Sequence, residues 1–312
     1  MAHVTFIHGI GNKTPAETLR TSWLTSLADN DGPELEADGV TSSMAYWADF
    51  MYEAPLPESR GNESLEAVEK DGIEDVDMGW LGEADPEEQA MVTRLEAKLE
   101  AARVEAGLVE TAAPPPSELG GREELLPPFM AERFMKAFLR DVHHYLFNEL
   151  HRPRPGVEHR IRDIIRDHVV KTLQQGADQP GPHIVVSHSM GTVIMYDCLK
   201  RVEATPRVDG LVTVGSPLGL QEIQDQLKPE WSRSNGFPGE RVADRWLNVY
   251  DRLDVVALLD SKLANDYRRK DASVVEDLNE NNYGRWRHDI GKYLGGRRLR
   301  TEIAGMLSLD WP

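Results

Sequence analysis

The stretch His183-Ile-Val-Val-Ser-His-Ser-Met-Gly-Thr192 constrains the fold of this chain more than any other. Four residues of strand character, His183 to Val186, run into Ser187-His-Ser-Met-Gly191, and a helical segment, Val193 to Lys200, follows. A chain that passes from strand to helix in so few residues must turn sharply. Only small residues fit two positions before and after the apex, and Ser187 and Gly191 supply them. The turn predicts that the Ser189 hydroxyl stands above a sheet, at the positive end of the following helix. Taken alone, the same residues also suit a Ser/Gly turn with no chemistry, so the rest of the chain has to decide.

The chain opens on an apolar strand, Val4 to His8, ending in His8-Gly9-Ile10-Gly11-Asn12. Two glycines there let the backbone come close to a neighbour with its amides free to point at it. Thr14-Pro15-Ala16-Glu17 predicts a helix start with Thr14 as cap, and the helix runs to about Ala28. Val40 to Phe50 reads as a second strand. With 312 residues, 40% of them apolar, there is chain enough for one large core, residues 1–312 as a single domain. The N-terminus reads as a strand rather than a signal peptide, and no apolar run reaches transmembrane length. The single cysteine, Cys198, excludes an internal disulfide framework and sits among apolar neighbours as a core thiol. A cytoplasmic location is the expectation.

The net charge of −18 argues against a nucleic-acid partner. Most of it lies between residues 53 and 125, where 20 Asp/Glu face 6 Lys/Arg. Asp85-Pro-Glu-Glu starts a helix that continues to about Ala106, with Met91, Val92, Leu95 and Leu99 on one stripe, whereas Asp71–Asp77 has little to bury and Ala113–Gly121 reads as linker. Together with the helix that follows, this makes 53–150 an acidic helical insertion after the second strand. It is either a solvated excursion or a lid over Ser189, and it offers a docking surface to a basic protein partner.

Leu126 to Phe147 predicts a long helix whose apolar residues cover more than half its circumference, suited to core packing or to contact with an acyl chain. His143, His144 and His151 lie close together, but no Cys or carboxylate is seen at ligand spacing and no metal site is read. Arg152–Gly156 reads as a turn and Val157 to Gln174 as a helix. After Ser189 and its helix come a strand, Val208 to Val214, ending in Gly215-Ser216-Pro217, and a short helix, Gln221 to Leu227. Then follow a strand, Arg245 to Tyr250, running into Asp251-Arg-Leu-Asp254, a last short strand at 273–276, His288, and a C-terminal helix from Leu299 to Leu309.

Apolar strands alternating with helices predict an α/β fold with about six mostly parallel strands and helices on both faces. In such a sheet the carboxyl ends of the strands collect the reactive groups on one edge. That edge should carry His8–Gly11, Ser189, Gly215–Pro217, Asp251/Asp254 and His288.

At this point the chain resembles an α/β-hydrolase of the lipase/esterase group. The resemblance rests on His8-Gly9, on Ser187-His-Ser-Met-Gly191 as a variant of the G-x-S-x-G elbow, on Gly215-Ser-Pro217, and on Asp254-Val-Val and His288 in the order Ser, Asp, His. It covers the first 50 residues and roughly 157–300. It implies Ser189 as nucleophile and His288 as base, and His288 alone among the ten histidines follows the last strand. It implies Asp254 as the acid, with Asp251 as the alternative. Met190 would supply one oxyanion amide and Ile10 or Gly11 the other, with His8, Gly9 and Gly191 supporting the turns. His188 should point away from the apex. The implied reaction is two-step acyl transfer on a small-molecule or lipid ester, with no cofactor. A thioesterase, amidase or peptidase on the same groups, or a hydrolase fold kept as a binding module, stays open.

Overall fold

The computed structural model describes residues 2–57, 76–112, 128–257, 260–282 and 286–311, the side chains of 106–112, 128–131 and 244 excepted. The elements are β1 (His3–Ile7), α1 (Ala16–Ala28), β2 (Thr41–Ala45), α2 (Pro86–Ala112), α3 (Pro128–Leu146), β3 (Leu150–Arg154), β4 (Val157–Arg160) and α4 (Ile161–Ala177). They continue with β5 (His183–His188), α5 (Met190–Arg201), β6 (Val208–Val214), α6 (Gln221–Gln226), β7 (Val242–Tyr250), β8 (Val275–Asn279), α7 (Ile290–Gly295) and α8 (Arg297–Met306).

Six strands pair in the order β2-β1-β5-β6-β7-β8, each pair parallel. Every residue of β1 and β5 is buried, as strands covered on both faces must be. The crossover from β1 to β2 runs one way along the sheet and that from β5 to β6 the other. With right-handed crossovers, α1 and α5 lie on opposite faces. On the first face α1 packs against α7, and Trp23 meets Phe6 edge-on at 5.4 Å. On the second, α4 and α5 pack together, and α3 reaches α4 and α2. Burying side chains such as Phe6 and Trp23 stabilises the fold by about 1.5–3 kcal/mol each. The strand direction brings the loops after β1, β5, β6 and β7 to one edge. Among the described residues no helix is long and apolar enough to cross a membrane.

Several elements differ from the sequence expectation. The second strand stops at Ala45, because Trp47 donates its backbone N–H to His8 Nε2 (2.9 Å) and the chain turns into a short 3-10 helix, Ala48–Phe50. Thr14 does not cap α1: Pro15 occupies the cap position with no side-chain bond. The segment read as a turn plus helix at 152–160 is instead the antiparallel hairpin β3–β4, with Gly156 at φ +79° in its turn. His151 and His159 point inward from it and donate to the carbonyls of Met51 (2.9 Å) and Phe50 (2.8 Å). They satisfy the turn that ended β2 early. The expected C-terminal helix, Leu299 to Leu309, is α8, which starts two residues earlier and ends at Met306, and a separate short helix, α7, precedes it across Gly296. The stripe Met91, Val92, Leu95 and Leu99 is buried as the spacing predicts. On α3, Phe134, Phe138, Leu139, Val142 and Tyr145 are core residues. Most of Asp71–Asp77 and all of Ala113–Gly121 lie outside the described residues.

His183, at the start of β5, bonds through Nε2 to Thr5 Oγ1 (2.9 Å), and burial, with His3 beside it, pushes its pKa down to about 4 from 6.5. Between those values the unfolded chain binds a proton that the native chain refuses, so stability falls as pH is lowered. The melting temperature should therefore drop from pH 6.5 towards 4, and His183→Gln should flatten that slope. A slope unchanged in the variant would show that His183 does not carry it.

Candidate active site

Ser189 sits between β5 and α5 with φ +51° and ψ −127°, a left-handed backbone that a non-glycine residue adopts at a cost of about 1–3 kcal/mol. Its neighbours hold it there. Its N–H donates to Val214 O (2.9 Å), and its carbonyl accepts from the Thr192 hydroxyl (2.7 Å). Thr192 Oγ1 also bonds Ser216 Oγ (2.7 Å), which ties the Gly215–Pro217 turn to the elbow. A Cβ on Gly191 would stand 2.5 Å from His8 O, and one on Gly9 would stand 2.8 Å from Ser189 Cβ. Both glycines are thus required by close backbone approach. Ser187 Oγ donates inward to Val212 O (3.2 Å).

His8 is locked into the loop after β1. Its Nε2 accepts the Trp47 N–H, its Nδ1 then donates to Gly9 O (2.8 Å), and the Trp47 ring stacks on it at 4.8 Å while donating to His8 O (2.9 Å). Gly11, one of the two expected oxyanion donors in this loop, spends its N–H on Asp141 Oδ2 (2.9 Å). That correction leaves Ile10 as the candidate donor, and the Ile10 carbonyl accepts from Lys13 Nζ. Met190 is the first residue of α5, where first-turn amides have no partner within the helix.

Asp254 and His288 meet although they are 34 positions apart in the chain. His288 Nδ1–H donates to the Asp254 carboxylate at 2.8 and 2.9 Å. Tyr293 O–H (2.7 Å) and the Val256 amide (2.9 Å) complete the shell of that carboxylate. Burial alone would push the Asp254 pKa up, but the imidazole and these bonds outweigh it and hold it below the ordinary value. Burial also raises the Tyr293 phenol well above its usual range, so it stays a donor. Asp251, the alternative acid, is engaged elsewhere. It accepts from the amides of Leu253 (2.7 Å) and Asn282 (2.5 Å) and pairs with Arg287 (3.3 Å), bracing the loop before His288. His188 donates from Nε2 to His288 O (3.0 Å), its ring 4.6 Å from that of His288, so it packs beside the base.

Ser189 Oγ and His288 Nε2 are both buried, and neither has a hydrogen-bond partner among the described residues. The carboxylate–imidazole bond is therefore made, and the hydroxyl–imidazole bond is not. Phe134 of α3 and Trp286 stand edge-on to the His288 ring at 5.6 and 5.8 Å. A cavity of about 830 Å³ beside α6, lined by Leu220, Lys228 and Trp231 among others, includes none of Ser189, Asp254 and His288 in its walls.

Two participants escaped sequence reasoning. Tyr293 reads only as apolar backing for His288. Asp141, 1% exposed, accepts from the Gly11 amide, Tyr52 O–H (3.2 Å) and Arg140 (2.8 Å). A signal existed for Asp141, because it interrupts the apolar stripe of α3 between Phe138 and Tyr145.

Gly215 permits the Asp254–His288 pair. It has φ +54°, and a Cβ there would stand 2.9 Å from Asp254 Oδ2 and 3.1 Å from His288 Nδ1. Gly39 has a similar φ of +77° but nothing within 4 Å of its Cβ. In urea denaturation Gly39→Ala should cost about 1–2 kcal/mol, the left-handed penalty alone. Gly215→Ala should cost clearly more. Equal losses would mean that the pair is packed less tightly than described. Neither a protein-family model nor a curated protein matches the sequence.

Proposed function

We propose that the chain is a serine hydrolase of the α/β-hydrolase, lipase/esterase kind, cleaving carboxylic esters through an acyl-enzyme on Ser189. The observation that carries this reading is the pair of buried, unpartnered groups, Ser189 Oγ and His288 Nε2, with the opposite nitrogen of His288 held by a buried carboxylate. Leaving two such groups unsatisfied costs about 1–3 kcal/mol each, and the strained turn adds to it.

In the proposed reaction His288 Nε2 takes the Ser189 proton as the hydroxyl oxygen attacks the ester carbonyl carbon. Apo hydrogen bonds of this kind are often long and tighten only with substrate bound. Asp254 fixes the tautomer and stabilises the imidazolium. The amides of Met190 and Ile10 receive the oxyanion. The tetrahedral adduct collapses, the leaving alcohol takes the proton from His288, and water activated by the same nitrogen releases the acid. Asp141, balanced by Arg140, holds the Gly11 amide and with it the loop that presents Ile10. The aromatic pair Phe134 and Trp286 beside His288 favours an apolar acyl group, which makes a lipid ester the preferred substrate class.

A fluorophosphonate probe should label the protein on Ser189, and Ser189→Ala and His288→Ala should abolish labelling. Asp254→Asn should slow it by roughly 10⁴-fold, as loss of the orienting acid does elsewhere. Asp251→Asn should label near the wild-type rate. A folded wild-type chain that is not labelled would support the binding-module reading instead. Across esters from acetyl to palmitoyl, turnover confined to acetyl would remove the lipid preference.

A further inference from the structure

The end of α3 and the start of α2 bring together three donor groups that the sequence keeps apart. His143 lies in the last turn of α3. Asn148, at φ +56°, then reverses the chain, and the Glu149 N–H closes on His144 O (2.9 Å), which returns Glu149 to the side of His143. Glu88 comes from the first turn of α2, where its amide and that of Glu87 bond to Asp85 Oδ1. One ligand atom from each of Glu88, His143 and Glu149 lies within 4.8 Å of the others, and Glu88 Oε2 is 3.1 Å from His143 Nε2.

We propose that Glu88, His143 and Glu149 form a binding site for a structural divalent transition cation, Zn²⁺ above all, that fastens the acidic helix α2 to the end of α3. The inference corrects the sequence reading, which saw the histidines but no carboxylate near them. It stands apart from the proposed hydrolase chemistry. The donor set is one imidazole nitrogen and two carboxylate oxygens, a combination that suits zinc, with water completing the coordination. Bonds of about 2.0–2.2 Å put neighbouring ligand atoms roughly 3–3.5 Å apart, so the Glu88–His143 edge already has the right length. Glu149, within 4.8 Å of both, has to close by at most roughly 1.5–2 Å, the reach of a side-chain rotation.

Two further features fit a metal better than an ion pair. A single imidazolium can balance one carboxylate, whereas two converge here, and among the described residues no Lys or Arg pairs with Glu149. A dication balances both. The ring is also held as a ligand should be. His143 is 2% exposed, packed between Trp80 (4.5 Å) and Phe147 (4.9 Å), and its Nδ1 is 3.3 Å from His144 Nδ1. With a cation on Nε2, the proton sits on Nδ1 and is donated to His144, the outer-shell bond that orients a ligating histidine.

The full chain, stripped with EDTA and dialysed against micromolar Zn²⁺, tests this by metal analysis, calorimetry and thermal melting. One zinc per chain is expected, with a rise in melting temperature that EDTA reverses. Glu149→Gln should weaken binding at least tenfold while leaving the metal-free melting temperature unchanged, so it remains informative if His143→Gln fails to fold. His144→Ala, which removes the positioning contact, should weaken binding about 10–100-fold. His159→Gln, in the hairpin and away from the three ligands, should leave zinc stoichiometry and affinity unchanged. Absence of stoichiometric zinc, or affinity unchanged in Glu149→Gln, overturns the proposal and leaves Glu88–His143 as an ion pair.

Discussion

The structure depends on how little room there is between β5 and α5. No residue separates them except Ser189, so the backbone is forced into a left-handed conformation and everything around it is arranged to hold that turn. The Val214 carbonyl fixes the Ser189 amide, and the Ile7 and His8 carbonyls press on Gly191 closely enough to forbid any side chain. Gly9 then lies against Ser189 itself. The loop after β1 and the turn after β5 are therefore one packed unit, although Gly9 and Ser189 are 180 positions apart in the chain. The strained conformation persists because the neighbours over-determine it.

A second unit stands on the far side of the same edge. Asp254 leaves the loop after β7, His288 precedes α7, and Tyr293 on α7 joins them. The Tyr293 oxygen accepts the Asp251 amide (2.8 Å) while its proton goes to Asp254. One phenol thus ties the Asp251 backbone to the Asp254 carboxylate. In such a dry setting the hydrogen bond from the imidazole to the carboxylate is stronger than it would be in water, and removing the imidazole leaves the Asp254 carboxylate buried with one donor fewer. The two units meet through the sheet: Ser189 is tied to the end of β6, and Gly215 at that end touches the imidazole–carboxylate pair.

Much of this was legible in the sequence. The change of period at 183–200 and the small residues at 187 and 191 place Ser189 at a sharp turn, and the strand–helix alternation gives the parallel sheet. What stayed hidden depends on partners remote in the chain. The spacing near Gly11 says nothing about Asp141, 130 positions away, which takes the amide that was an equal candidate for the oxyanion. The resemblance favours Asp254 over Asp251, but spacing does not show that Asp251 is held by the amides of Leu253 and Asn282. Pro153 and Pro155 made β3–β4 look like a turn, because proline is rare within sheets; an isolated two-stranded hairpin has open edges that tolerate it. Glu88 and His143 are 55 residues apart, and only the packing of α2 on α3 brings them together.

The central claim is that the Ser189 oxygen forms a covalent bond to the acyl group of an ester. The most direct measurement is mass spectrometry of the protein quenched in acid during turnover of an activated ester, followed by peptide mapping. The account predicts the mass of one acyl group on the peptide that holds Ser189, and no such adduct in Ser189→Ala. An adduct on another residue, or turnover with no covalent adduct at all, would contradict it.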